Sequence, residues 1–186
     1  MLNLHNMLPL VLPAGIWKMH QLRHLNILCF NLSPNSQIHR LKILRSLSTV
    51  LPGSCLAEGL EVLGNLKREL SIRGDLDPYK NALQNSIGGL KSLRSLTLDC
   101  HSSVPSFGRL SNHIYLYKIL LYGRLDSLPR SDDFPPNLTK MILGSSRLER
   151  DPMPILEKLR NLQVLKLSWS AFRGKKWLAL RMDSHD

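Results

Sequence analysis

The chain has 186 residues, 43% of them apolar and 21% charged, a composition that suits one folded domain and excludes an intrinsically disordered chain. Against 14 acidic residues stand 25 basic ones, a net charge of +11, which favours an acidic partner without choosing among nucleic acid, anionic membrane and protein. The three cysteines, Cys29, Cys55 and Cys100, are odd in number, sparse and without a C-x-x-C pair, so neither a disulfide scaffold nor a zinc ribbon is suggested and a reducing, cytoplasmic setting is expected.

Along the chain, residues 7–17 ("MLPLVLPAGIW") have the apolar character of a signal-peptide core. No Lys or Arg precedes them, two prolines interrupt them and no A-x-A site follows, which argues against secretion. No later stretch approaches the roughly 18 consecutive apolar residues of a membrane span. Leu2 and Leu4 fit the fourth and sixth slots of a unit whose first slot would precede Met1.

From Leu22 a pattern recurs. Segments of the form L-x-x-L-x-L start at Leu22 ("LRHLNI"), Leu44 ("LRSLST"), Lys67 ("KRELSI"), Leu93 ("LRSLTL"), Leu116 ("LYKILL"), Leu138 ("LTKMIL") and Leu162 ("LQVLKL"), at intervals of 22, 23, 26, 23, 22 and 24 residues. Leu162, Leu165, Leu167 and Phe172 fall at offsets that fit neither a helix nor an alternating strand. They do fit slots one, four, six and eleven of the leucine-rich repeat consensus, whose units span about 20 to 29 residues. The expected fold is an α/β leucine-rich repeat solenoid, with a curved parallel sheet on the concave face and irregular or short helical arcs on the convex face. Inward leucines bury themselves only against the same slots of neighbouring units.

The arcs carry helix punctuation. Asp77-Pro78 and Asp151-Pro152 each offer a capping side chain with proline in the first turn, and Gly88-Gly89 stand where a helix should stop. "DDFPPNL" (132–138) should be extended and non-helical. Two units break the spacing. Leu66 lies four residues before Leu70, which puts Lys67 in an inward slot unless the chain bulges, and Leu125 arrives one residue early. Local distortion is expected at both places.

The organisation is read as a partial leading repeat and arc (1–21), seven repeats (22–177) and a divergent tail (178–186). Neither end resembles the polar cap a solenoid needs, so the sequence reads as a fragment of a longer receptor or the product of a truncated gene.

The wording of "LPAGIWKMHQLRHL" (12–25), "LSTVLPGSCLAEGLEVLGNL" (47–66), "GGLKSLRSLTL" (88–98) and "FPPNLTKMILGSSRLERDPMPILEKLRNLQVLKLSWSAFRGKKW" (134–177) resembles the leucine-rich repeat region of plant coiled-coil nucleotide-binding disease-resistance proteins of the late-blight and downy-mildew type. The resemblance covers arc wording as well as leucine spacing. It implies a domain that contributes to recognition of pathogen effectors and packs against a nucleotide-binding switch domain to hold it inactive. No G-x-x-x-x-G-K-[ST] phosphate loop is present, so no bound nucleotide or other cofactor is expected, nor any small-molecule substrate. The tail after Lys176 departs from the further repeats such a family would supply.

Slots two, three and five of each strand are expected to face outward, where identical slots stack on strands about 4.7 to 4.9 Å apart. Slot two reads Arg23, Arg45, Arg68, Arg94, Tyr117, Thr139 and Gln163. Neighbouring arginines at that spacing repel by about 0.9 kcal/mol even in water. Two readings of this row stand open: a dock for an acidic loop of a switch domain or effector, or a soluble surface partly neutralised by Glu69. Further along, Tyr117, Leu120, Tyr122, Ile142 and Trp169 form an apolar and aromatic run, either a protein contact or side chains covered by the loops after each strand. Lys118, Lys140 and Lys166 complete the candidate partner-binding set. Trp17 is expected in the core beside Ile16, and Trp177 over the last repeat.

Catalytic and metal chemistry find no support. His20 and His24 lie one in an arc and one in a strand; Cys29 and Cys100 both fall at slot eight, where a small half-buried residue belongs; Asp132 and Asp133 lack an acid/base partner. A basic nucleic-acid-binding repeat protein is one alternative, although stacking aromatics are not interleaved with the arginines. The other is an extracellular repeat receptor, whose L-x-G-x-I-P wording and paired capping cysteines are missing.

Overall fold

The computed structural model describes residues 10–31, 37–52, 66–106, 108–168 and 170–173. A short strand β1 (Leu10–Val11) comes first, and each of the seven leucine-bearing segments then forms one strand: β2 (His24–Asn31), β3 (Ser46–Leu51), β4 (Glu69–Gly74), β5 (Ser95–Ser103), β6 (Lys118–Arg124), β7 (Lys140–Gly144) and β8 (Val164–Ser168); Leu2 and Leu4 lie outside the described residues. The strands build one sheet in chain order, every neighbour parallel. The register aligns identical slots: Leu70, Leu96, Ile119, Met141 and Leu165 oppose one another in slot four, and Ile72, Leu98, Leu121, Leu143 and Leu167 in slot six.

Those two rows, with slot one, form the sheet side of the core, which arc residues such as Leu83, Ile87, Leu110 and Phe134 complete. Leu47, Leu70, Leu96, Ile119, Met141 and Leu143 have no exposed surface, and Leu93 and Leu116 in slot one are equally enclosed. Each such side chain contributes roughly 1.5 to 3 kcal/mol of burial. Leu165 and Leu167 on β8 are half-buried and pack against this core from one side.

The irregular repeats resolve in different ways. Leu66, not Lys67, fills slot one: Leu66 is 1% exposed while Lys67 is exposed. The extra residue is absorbed before β4 begins, and from there the pattern of the other repeats resumes, the amides of Arg68 and Glu69 both donating to the Arg45 carbonyl at 2.8 and 3.4 Å. In the second repeat the inward sixth slot belongs to Val50 rather than Thr49. Thr49 takes φ 53°, the register slips between Leu47 and Val50, and Val50 is fully buried. A polar side chain cannot fill the row, so a bulge carries the next apolar one into it. After Leu121 the expected distortion is present: Gly123 adopts φ 123° and the pairing shifts between Asp99 and Ser103. Leu125 reaches the core at 5% exposure, its amide held by the Ser146 carbonyl at 2.8 Å.

The arcs are short. A 3-10 turn at Ala14–Lys18 buries Trp17 at 6% exposure. A 3-10 turn at Asp77–Tyr79 leads into helix α1 (Lys80–Gly89), which ends at the paired glycines and buries Leu83 and Ile87. Asp151 accepts the Met153 amide at 2.9 Å at the start of the single-turn helix α2 (Met153–Leu156). Asp77 does not cap its helix. Its carboxylate accepts the Ser103 hydroxyl at 2.9 Å, and Asp75 takes the Asp77 amide at 3.3 Å. Within "DDFPPNL" the two aspartates close a 3-10 turn (Ser131–Asp133) before the chain extends at Phe134. Asn137 and Asn161, each just ahead of slot one, donate to the carbonyls of Ile114 and Pro136 at 2.8 Å and tie successive arcs together.

Candidate interaction face

The backbone at slot two is itself a ladder. Arg45 N–H donates to Arg23 O at 2.7 Å and Arg68 N–H to Arg45 O at 2.8 Å; Tyr117, Thr139 and Gln163 continue the row through Arg94 O, Tyr117 O and Thr139 O at 2.9 to 3.1 Å. Between Arg68 and Arg94 the step is made by the Ser95 amide, 2.9 Å from Arg68 O. The side chains of Arg23, Arg45, Arg68 and Arg94 are exposed. None of the four forms an ion pair with a carboxylate among the described residues, whose ion pairs belong to Arg73, Arg109, Arg124 and Arg130. Glu69, half-buried in the next row, does not pair with them.

Slot three reads His24, Ser46, Glu69, Ser95, Lys118, Lys140 and Val164 in register. Ser46 and Ser95 are not open surface: each is 6% exposed, set in register between longer residues, His24 and Glu69 for Ser46 and Glu69 and Lys118 for Ser95. His24 Nδ1 lies 3.0 Å from Ser46 Oγ. Lys118 and Lys140 stand directly opposite each other, both half-buried and without a described carboxylate within ion-pair reach. The slot-five row passes from Ser71 and Thr97 to Leu120, Ile142 and Lys166. Leu120 is half-exposed, but Ile142 is only 9% exposed, covered in a row that was expected to be open.

Slot seven holds Arg73, Asp99, Tyr122, Gly144 and Ser168. Arg73 Nε and Asp99 Oδ2 pair at 3.2 Å. The Tyr122 ring lies across Gly144, so close that a Cβ there would collide with it. Tyr117 stands just ahead of β6 at slot two and Tyr122 lies within it at slot seven, about 16 Å further along at roughly 3.3 Å per residue. The aromatic run is therefore two separate features, and Trp169 and Trp177 lie outside the described residues. The basic groups do come together. The stripe follows slot two through Arg94, steps to slot three at Lys118 and Lys140, and to slot five at Lys166.

Sequence reasoning missed the groove beyond slot seven, a cavity of about 810 Å³ lined by Arg73, Asp99, Tyr122, Arg124 and Arg147 among others. Its signal was the row read two residues further along each strand. Cys100 sits in its wall, where burial, then the charges of Asp99, Asp77 and Asp75, push its thiol up to about 12. The thiol is neutral and a poor nucleophile. Asp132 and Asp133 turn to different arginines, Arg130 at 3.8 Å and Arg109 at 3.0 Å. No cluster of three His, Cys, Asp or Glu side chains suited to a metal occurs among the described residues. No helix among them is long and apolar enough to cross a membrane.

A stack of parallel strands with aligned leucine rows and a polar, basic open face defines a leucine-rich repeat protein. The chain belongs to the leucine-rich repeat region family, whose profile matches residues 1–183. Similar proteins from Arabidopsis thaliana include Probable disease resistance protein RF9, 36% identical over 76% of this chain. Putative disease resistance protein At1g58400 is 30% identical over 91% of it, and Probable disease resistance protein RF45 is 41% identical over 50%. The matches cover 13%, 19% and 10% of those three proteins respectively. The resemblance to plant disease-resistance repeats, expected over roughly residues 12–177, thus holds over most of the chain.

Proposed function

We propose that this chain is a non-enzymatic interaction segment of a plant intracellular immune receptor, acting in the cytoplasm without a cofactor through its open sheet face. Residues 22–177 supply seven repeats, 1–21 a leading partial unit and 178–186 a divergent tail. Its partner is an acidic protein surface, either the receptor's own switch domain, held inactive by the contact, or a pathogen effector. The observation that carries this reading is the basic stripe from Arg23 to Lys166, stacked strand by strand with slot-two cations that no described carboxylate neutralises. Rows of like charge at strand spacing repel, and an acidic partner removes that repulsion as it docks.

The names of the relatives support a role in disease resistance. The test is a pull-down of the switch domain, and separately of candidate effectors, with Arg45→Glu/Arg68→Glu. Binding should weaken by about tenfold or more, which corresponds to about 1.4 kcal/mol, and the wild-type complex should weaken as salt rises. Unchanged binding by the charge-reversed chain removes the ladder from the interface.

A further inference from the structure

The second half of the face has a composition the first half lacks. Lys118 and Lys140 oppose each other in slot three, and two residues along the same strands Leu120 and Ile142 oppose each other in slot five. Lys166 continues the slot-five row beside Ile142, and Val164, 45% exposed, continues the slot-three row beside Lys140. Across β6 and β7 a cation pair and an aliphatic pair therefore lie side by side, separated by one same-face step of a strand, roughly 6.6 to 6.8 Å, and β8 reverses their order. The lysine pair is half-buried, so its mutual repulsion is screened less than that of fully exposed groups.

We infer that this patch binds an extended acidic peptide segment in which a carboxylate and an aliphatic side chain stand two residues apart. The inference rests on the interaction reading above and names the partner's chemistry. An extended chain lying along the strand direction presents every second residue to the same side, with the same step of roughly 6.6 to 6.8 Å. One carboxylate placed between Lys118 and Lys140 answers both charges, and the next same-side residue then falls on Leu120 and Ile142. Half-buried Leu120 and exposed Val164 supply the apolar surface a partner can reach, while Ile142, at 9% exposure, fills the row beneath.

A random heptapeptide library displayed on phage, panned against the whole chain at low salt, tests this. Enrichment of Asp or Glu two residues from Leu, Ile or Val, in either order, is expected. Lys118→Glu/Lys140→Glu should weaken the selected peptide by about tenfold or more, a change of about 1.4 kcal/mol. Lys118→Gln/Lys140→Gln, checked by its melting curve, guards against a fold defect. No enrichment overturns the inference, as do acids at no fixed separation, acids three or four residues from the aliphatic as on a helix, or binding that both variants retain. Tighter binding of single-stranded oligothymidylate, lost in the same variants, would make the patch a phosphate-backbone site and also overturn it. Failure here with loss of pull-down in Arg45→Glu/Arg68→Glu leaves the broader reading standing; failure of both removes both.

Discussion

Gly144 is the one position in its row without a side chain, and the reason is the Tyr122 ring. A Cβ built on Gly144 would overlap the ring and also approach Ser168 Oγ to 3.4 Å. Gly144 is not among the residues with positive φ, so alanine strains no backbone there and its whole cost is steric. Overpacking a filled site costs about 1 to 3 kcal/mol. The colliding atoms belong to a half-buried side chain and not to backbone, which puts the cost of Gly144→Ala in the lower part of that range, about 1 to 2 kcal/mol. With Tyr122→Ala the obstacle is gone, and Gly144→Ala becomes neutral or stabilises by up to about 0.4 to 1 kcal/mol through the unfolded chain. A double-mutant cycle by urea unfolding should return a coupling of about 1 to 2 kcal/mol, well above the roughly 0.3 to 0.5 kcal/mol seen for independent sites. Additive effects would show that the ring does not lie across Gly144, and the slot-seven geometry would fall with it.

Other outcomes follow from the same packing. Leu96→Ala, at a fully enclosed slot, should cost about 2 to 5 kcal/mol, and Leu167→Ala on half-buried β8 clearly less, both read from urea melts. Native Cys100 should resist iodoacetamide at pH 8 and react once unfolded, since its thiol is raised to about 12 from the ordinary 9.0. The native state then holds a proton that the unfolded state releases, so this contribution is complete below pH 9 and declines from there toward 12. Asn161→Ala removes the 2.8 Å bond to the Pro136 carbonyl and should lower stability by about 0.5 to 1.5 kcal/mol.

The leucine rows were legible because each slot must meet its own kind in the next coil, so spacing alone predicts the register of Leu70, Leu96 and Ile119. Trp17 and the stop at Gly88-Gly89 followed from equally local chemistry. What escaped depends on neighbours. Ser46 and Ser95 are covered because flanking strands carry longer side chains, which no single repeat reveals. Thr49 yields its slot to Val50 because the core rejects a hydroxyl more strongly than the strand resists a bulge. Asp77 abandons its cap because Ser103, a full repeat away, offers a hydroxyl at 2.9 Å. The arginine row was visible as letters at one offset. That it steps sideways into the Lys118 and Lys140 pair required the register.

The most direct measurement of the central claim, a continuous basic row at the entry to adjacent parallel strands, is a disulfide cross-link between Arg45→Cys and Arg68→Cys. Neighbouring strands lie about 4.7 to 4.9 Å apart, inside the roughly 4.4 to 6.8 Å between Cα atoms that a disulfide spans. Mild oxidation followed by peptide mapping should recover the 45–68 linked pair as the main product. Free thiols at both positions, or linkage only to the natural cysteines, would contradict the stacked row and the interaction face built on it.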